Sequence, residues 1–182
     1  YPQTKRDLTA RGAEKTEEDR HIARQFGQEF FDGERRHGYG GFSYHPRFWQ
    51  PVVPDFIEAY GLTPQSRILD VGCAKGFMLH DFREALPGLM VQGLDISEYA
   101  ITHAMPDVRP FLKVGNAQAL PYADQSFDLV ISINTIHNLP DAECRKALQE
   151  IQRVSRKDAF ITVDAYRNEE EKIRMEQWNL TA

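Results

Sequence analysis

From Arg67 onward, short apolar runs alternate with stretches whose apolar positions recur at helical spacing. The runs predict five strands, over residues 68–71, 89–95, 110–114, 127–133 and 159–163. The stretches between and after them predict helices over 77–86, 97–104, 141–154 and 168–180, with Ser97 capping the second. Strands that are apolar on both faces and separated by helices predict a parallel sheet covered on both sides. Right-handed crossovers then make a doubly wound, Rossmann-like α/β fold the simplest topology.

Residues 1–60 follow a different pattern and read as a helical and glycine/aromatic-rich segment preceding a sheet domain over 61–182. Thr16 caps a predicted helix over 16–31, with Glu17, Glu18 and Asp19 in its first turn. Ile22, Phe26, Glu29 and Phe30 mark one of its faces, and Gly33 ends it. Glycines and a proline interrupt residues 38–46, which predicts a loop. A shorter helix is expected over 51–60, closed by Gly61.

Composition narrows the class without changing this picture. A chain of 182 residues can bury a substantial core. Its 41% hydrophobic and 27% charged residues exclude a disordered, collagen-like or coiled-coil chain. No apolar run approaches the ~20 residues of a membrane span. A net charge of -5 makes nucleic acid a poor partner, because an acidic surface repels phosphates. The two cysteines, Cys73 and Cys144, form neither a disulfide framework nor a metal-ligand cluster. A cytoplasmic setting with no metal, membrane or nucleic-acid partner is therefore expected. The chain begins at Tyr1 rather than Met, as a fragment would.

In doubly wound sheets ligands bind beyond the carboxyl ends of the strands. After the first strand comes Asp70-Val71-Gly72-Cys73-Ala74-Lys75-Gly76. Small residues in such a turn permit positive φ and let a ligand approach backbone N–H groups. The spacing is not that of the dinucleotide fingerprint G-x-G-x-x-G. Asp95, at the tip of the second strand, lies about 20 residues beyond the last loop glycine, where a carboxylate can accept both hydroxyls of a ribose. Asn116 follows the third strand and offers an amide to a purine edge. Loop and tip acid together point to a nucleoside ligand.

These segments, with Ser126-Phe127-Asp128-Leu129-Val130, resemble the class I S-adenosylmethionine-dependent methyltransferases of the small-molecule methyltransferase-domain group. The resemblance covers about residues 67–165. It implies S-adenosylmethionine as cofactor and S-adenosylhomocysteine as product. Asp70, Gly72, Cys73, Ala74 and Gly76 would meet the methionine end, and Asp95 the ribose. Ile96 would pack on adenine, Asn116 and Ala117 would reach its edge, and Asn134 would close the site. The family more often has glycine where Ala74 stands, which a negative φ would accommodate, and aspartate where Asn116 stands. It also usually carries two further strands forming an antiparallel edge. This chain ends before them and is expected to lack them, as a sheet truncated at its C-terminal side.

The acceptor would lie past the fourth strand, where His137 is the candidate base because imidazole titrates near neutrality. Asn134-Thr135-Ile136-His137 is not the Asn/Asp-Pro-Pro-aromatic stretch of enzymes that methylate exocyclic nitrogens. The glycine-rich segment over 33–49 is expected to act as a lid, with Tyr39 as a second catalytic candidate. Tyr44, His45, Arg47 and Arg167 are candidates for acceptor binding. Arg35, Arg36, His37, His45 and Arg47, in or beside that loop, form a basic cluster in an acidic chain and suggest a polar, phosphorylated or sugar-like small molecule. Either a monomer or a homodimer is compatible with this reading. The alternatives are a nicotinamide-dependent oxidoreductase, which shares the sheet and the ribose acid, and a non-catalytic cofactor-binding relative.

Overall fold

The computed structural model describes residues 15–178 and residue 181; residues 179 and 180 of the last predicted helix lie outside them. Its sheet contains β1 (Arg67–Val71), β2 (Met90–Asp95), β3 (Leu112–Val114), β4 (Phe127–Ile133) and β5 (Ser155–Thr162), all parallel, in the order β3-β2-β1-β4-β5. The chain starts at the centre, winds outward to β3, then returns past β1 to β4 and β5. That reversal leaves the tips of β1, β2 and β4 around one crevice.

The helices are α1 (Glu17–Ala23), α2 (Gln28–Asp32), α3 (Val53–Ala59), α4 (Phe77–Ala85), α5 (Glu98–Thr102), α6 (Asp141–Val154) and α7 (Glu169–Trp178). Successive side chains of a strand point to opposite faces, and the core divides accordingly. Ile68, Leu129 and Ile131 join Phe56, Leu79 and Phe82 on the face covered by α3 and α4. Leu69, Val71 and Val130 join Ala147, Ile151 and Val154 of α6 on the other. Burial of both faces is why most of β1 and β4 is apolar, with Asp70, Asp128 and Ser132 as buried polar exceptions.

Three departures from the sequence pattern have physical causes. The single helix expected over 16–31 is two, because Phe26 takes φ +48 and Gly27 caps a new helix. The Ser97 hydroxyl donates to the Phe26 carbonyl, so a contact from the sheet domain holds the break. Thr16 nevertheless makes the expected cap, with Asp19 completing a reciprocal capping box. Pro110 sits in a 3-10 turn (Arg109–Phe111), which shortens β3. Finally, β5 begins directly at the end of α6, without a loop. Asp128 gathers the strand starts there, accepting from Arg67 N–H at 3.0 Å and from the Arg156 guanidinium. Burial pushes its carboxyl up, but these bonds and Lys157 hold it below its ordinary range. Among the described residues the sheet has no antiparallel strand, and β5 forms its edge.

Phe82 on α4 is fully buried between α3 and the sheet. Phe82→Ala should cost about 3–5 kcal/mol, a large share of the 5–15 kcal/mol typical of a domain. Urea denaturation followed by circular dichroism measures it; a loss below about 1 kcal/mol would contradict this account of the core.

Candidate active site

The loop after β1 is built on three left-handed residues and on bonds to the neighbouring strand β2. Gly72 takes φ +87, and its N–H donates to the Leu94 carbonyl at 2.7 Å. A Cβ there would come within 2.6 Å of Thr135 Cβ, so only glycine lets the β4 end lie against this loop. Ala74 takes φ +48, which corrects the expectation of a negative φ. Alanine in this region costs about 1–2 kcal/mol, and the Ala74 N–H is held by Asp95 Oδ2 at 2.8 Å. Gly76, at φ +74, then opens α4.

Asp95 accepts from two loops at once. Its Oδ2 takes the Ala74 N–H, and its Oδ1 takes the Ser97 N–H at 2.9 Å, while the Ser97 hydroxyl caps α5. Each oxygen keeps a further lone pair. Burial pushes this carboxyl up; the N–H groups of Ser97, Ala74 and Ile96 pull it back only in part. Asp70 is 6% exposed and, among the described residues, receives no hydrogen bond on its carboxylate. Burial first, and the Asp95 charge second, push it up to about 7. Burial and these two acids also raise the Cys73 thiol.

The outer strand tips are apolar and open. Ile96 is 53% exposed just past β2, and Val114 is exposed at the end of β3. Asn116 lies two residues farther on, and the Gly115 N–H binds the Asp95 carbonyl at 2.8 Å. The Asn116 Oδ1 accepts from the Gln118 N–H at 2.9 Å, which engages the carbonyl side of the amide and leaves its NH2 group as the donor. Ala117 packs into the core beside Leu120.

At the β4 tip Asn134 takes φ +51 and is held by Thr162 of β5, whose hydroxyl donates to Asn134 Oδ1 at 3.1 Å. His137 follows in a 3-10 turn (Ile136–Asn138). Its Nε2 lies 3.8 Å from Asp164 Oδ2, and its Nδ1 is buried without a partner. Burial lowers its pKa from the ordinary value, with Asp164 acting against that shift. The imidazole is therefore neutral at pH 7.

The lid residues are committed more than their sequence suggests. Tyr39 stays 45% exposed but packs on Phe42, ring centroids 4.4 Å apart. The Tyr44 hydroxyl donates to Oδ1 of the buried Asp81 on α4 at 2.6 Å; burial and that bond push its pKa up to about 12. The Arg47 guanidinium covers Phe48, while the Arg47 N–H donates to His45 Nδ1. Arg167 pairs with Glu171 at 2.8 Å. Thus the β1, β2 and β4 tips converge, whereas Tyr44 bonds the distant Asp81, and His45, Arg47 and Arg167 find local partners. Sequence reasoning passed over Lys75, a buried ammonium inside the glycine loop, and Asp164, one residue beyond the position predicted to end β5. A long charged side chain amid Gly, Cys and Ala was the signal available for Lys75.

Because the folded chain holds the Asp70 proton more tightly than the unfolded chain does, the protein should lose stability as pH rises from about 4 to about 7. Asp70→Asn should flatten that part of the profile in thermal denaturation. Parallel profiles for the two proteins would show that Asp70 is ionised without cost.

Residues 68–158 match the family described as "Methyltransferase domain". The chain is 34% identical over 120 residues to a demethylmenaquinone methyltransferase of Renibacterium salmoninarum, covering 64% of this chain and 47% of that one. It is 29% identical over 157 residues to a 2-methyl-6-phytyl-1,4-hydroquinone methyltransferase of Synechocystis, covering 74% and 47%. The YcgJ protein of Bacillus subtilis superposes with a TM-score of 0.54 at 25% identity, over 68% of this chain and 54% of that one. The chain thus spans about half the length of these curated relatives. Among the described residues no helix is long and apolar enough to cross a membrane. The family match spans the glycine loop, both tip acids and the β4 tip, and the chain belongs to the class I S-adenosylmethionine-dependent methyltransferases.

Proposed function

We propose that this chain binds S-adenosylmethionine across the tips of β1, β2 and β3 and directs its methyl group to a small molecule beside the β4 tip. The observation that carries this reading is the pair of buried carboxylates, Asp70 and Asp95, next to a loop of small residues whose long side chain, Lys75, is taken up by Asp32. Asp70 receives no hydrogen bond among the described residues and suits an ammonium group. Asp95 keeps two lone pairs for a ribose diol. Ile96 offers an apolar face to a purine, and Asn116 Nδ2 a donor to a ring nitrogen. The nicotinamide reading, already at odds with the loop spacing, falls with the family assignment.

When bound, the donor supplies an electrophilic methyl group on a cationic sulfur. The residues of the chain then have two tasks: alignment of the acceptor with that methyl, and removal of the acceptor's proton. His137 is neutral at pH 7, so its Nε2 can take a proton from an acceptor hydroxyl while Asp164 steadies the imidazolium. Tyr39, half-exposed in the lid, is placed in this reading at the acceptor's other side.

The acceptor is a polar small molecule with an ionisable hydroxyl. A phosphorylated or sugar-like acceptor was favoured by the lid's arginines, but Arg35 donates to the Gly38 and Tyr39 carbonyls and Arg36 pairs with Glu34. Those bonds weaken the argument for an anion. Val163 and Tyr166, each 49% exposed beyond β5, support a second reading, a hydroxylated ring with an apolar body. The quinone and hydroquinone relatives are compatible with it.

Methyl-labelled donor incubated with phosphorylated sugars and with hydroxylated aromatics separates the two acceptor readings by which class gains label. Asp95→Asn should weaken donor binding about 10- to 100-fold, the worth of a hydrogen bond to a charged group. Calorimetry showing equal affinity for variant and wild type would remove Asp95 from the site. With a hydroxyl acceptor, the rate should fall as acid protonates His137, at a pH below that of an ordinary imidazole. His137→Gln should lower kcat about 10²–10⁴-fold and abolish that acid limb. Retention of the limb in the variant would assign the base elsewhere.

A further inference from the structure

Asp32, the last residue of α2, accepts hydrogen bonds from three separate elements. Its Oδ2 takes the Lys75 ammonium at 2.6 Å and the Tyr99 hydroxyl at 2.8 Å; its Oδ1 takes the Phe42 N–H at 2.9 Å. The same ammonium donates to the Phe42 carbonyl at 2.9 Å. Lys75 is 7% exposed, although it belongs to the glycine loop, and it lies over the Tyr99 ring at 5.7 Å. Burial pushes the Asp32 carboxyl up, but Lys75, Phe42 and Tyr99 together hold it below its ordinary value.

Two of the elements joined by Asp32 are also joined by Asp95. The inner carboxylate holds Ala74 and Ser97; the outer one holds Lys75, next to Ala74, and Tyr99, two residues past Ser97. Lys75 stands between two residues in left-handed conformations, Ala74 and Gly76, so its anchored side chain fixes the least regular part of the turn. Phe42 brings in the lid, and its ring stacks on Phe77 at the start of α4, centroids 5.0 Å apart.

We propose that Asp32 is a positioning residue for the donor site, clamping the glycine loop, the start of α5 and the lid together through Lys75, Tyr99 and Phe42. The proposal rests on the donor-binding reading given above. Asp32 touches no reacting atom; it acts by keeping the backbone groups beside Asp95 at one separation and the lid against them. Loss of the clamp lets the loops and the lid relax together, which weakens donor binding and leaves the chemistry at the β4 tip unchanged.

The test measures S-adenosylmethionine affinity of the full chain by calorimetry, with kcat at saturating donor once an acceptor is known. Asp32→Asn and Lys75→Met should each weaken binding roughly tenfold or more, within the range of a coupling between sites. The double variant should be little worse than the worse single one, because both remove the same pair. Lys75→Arg should restore part of the affinity, and kcat should stay within about threefold of wild type. Tyr99→Phe removes one exposed-side hydroxyl and keeps the fold safe; it should raise hydrogen exchange at the Ala74 and Ser97 amides. Affinity within twofold of wild type in the single variants, whatever their melting temperatures, overturns the proposal, as does unchanged exchange in Tyr99→Phe. A wild-type chain that binds no donor overturns the functional reading itself, and this inference with it.

Discussion

The structure turns on a buried carboxylate at the tip of β2. An ionised group in that position is tolerable only if N–H donors converge on it, and Asp95 finds them in two different loops. The Ala74 bond draws the turn after β1 over the end of β2. The Ser97 bond starts α5 at a fixed angle. The left-handed Ala74 follows from this geometry, since its N–H reaches Asp95 only in a turn of that shape. Thr135 then fills the space left by the missing side chain of Gly72, which brings β4 and its histidine into the same crevice.

The sheet was readable because its cause is written locally. Strands buried on both sides are mostly apolar, and residues 127–133 and 141–154 have boundaries identical to those of β4 and α6. Ser97 and Thr16 likewise cap their helices through bonds within a few residues. Long-range causes were less legible. The break at Phe26 depends on a hydroxyl from residue 97, and Tyr44 reaches across to Asp81 rather than to the crevice. No local pattern encodes either bond. The tip acids were visible from their place after strands, whereas Asp32 looked like an ordinary charge at a helix end.

Charge in the N-terminal segment is balanced at short range. Asp19 meets Arg36 and the buried His37, and Glu29 approaches the other nitrogen of that ring. Counting arginines along residues 33–49 therefore overstates the positive field available to a ligand. What the segment presents instead is an aromatic layer, with Phe30, Phe31, Tyr39 and Phe42 in mutual contact and Phe42 continuing onto α4. Edge-to-face packing of this kind holds a short, glycine-broken segment in place without regular structure.

Asp70 ties the contents of the crevice to a proton. An acid kept near its midpoint by a low-dielectric setting is stabilised as an anion by any cation that arrives, and it gives up its proton in the process. Entry of a cationic group beside it therefore trades one positive charge for another, so the crevice can change its contents with little change in net charge.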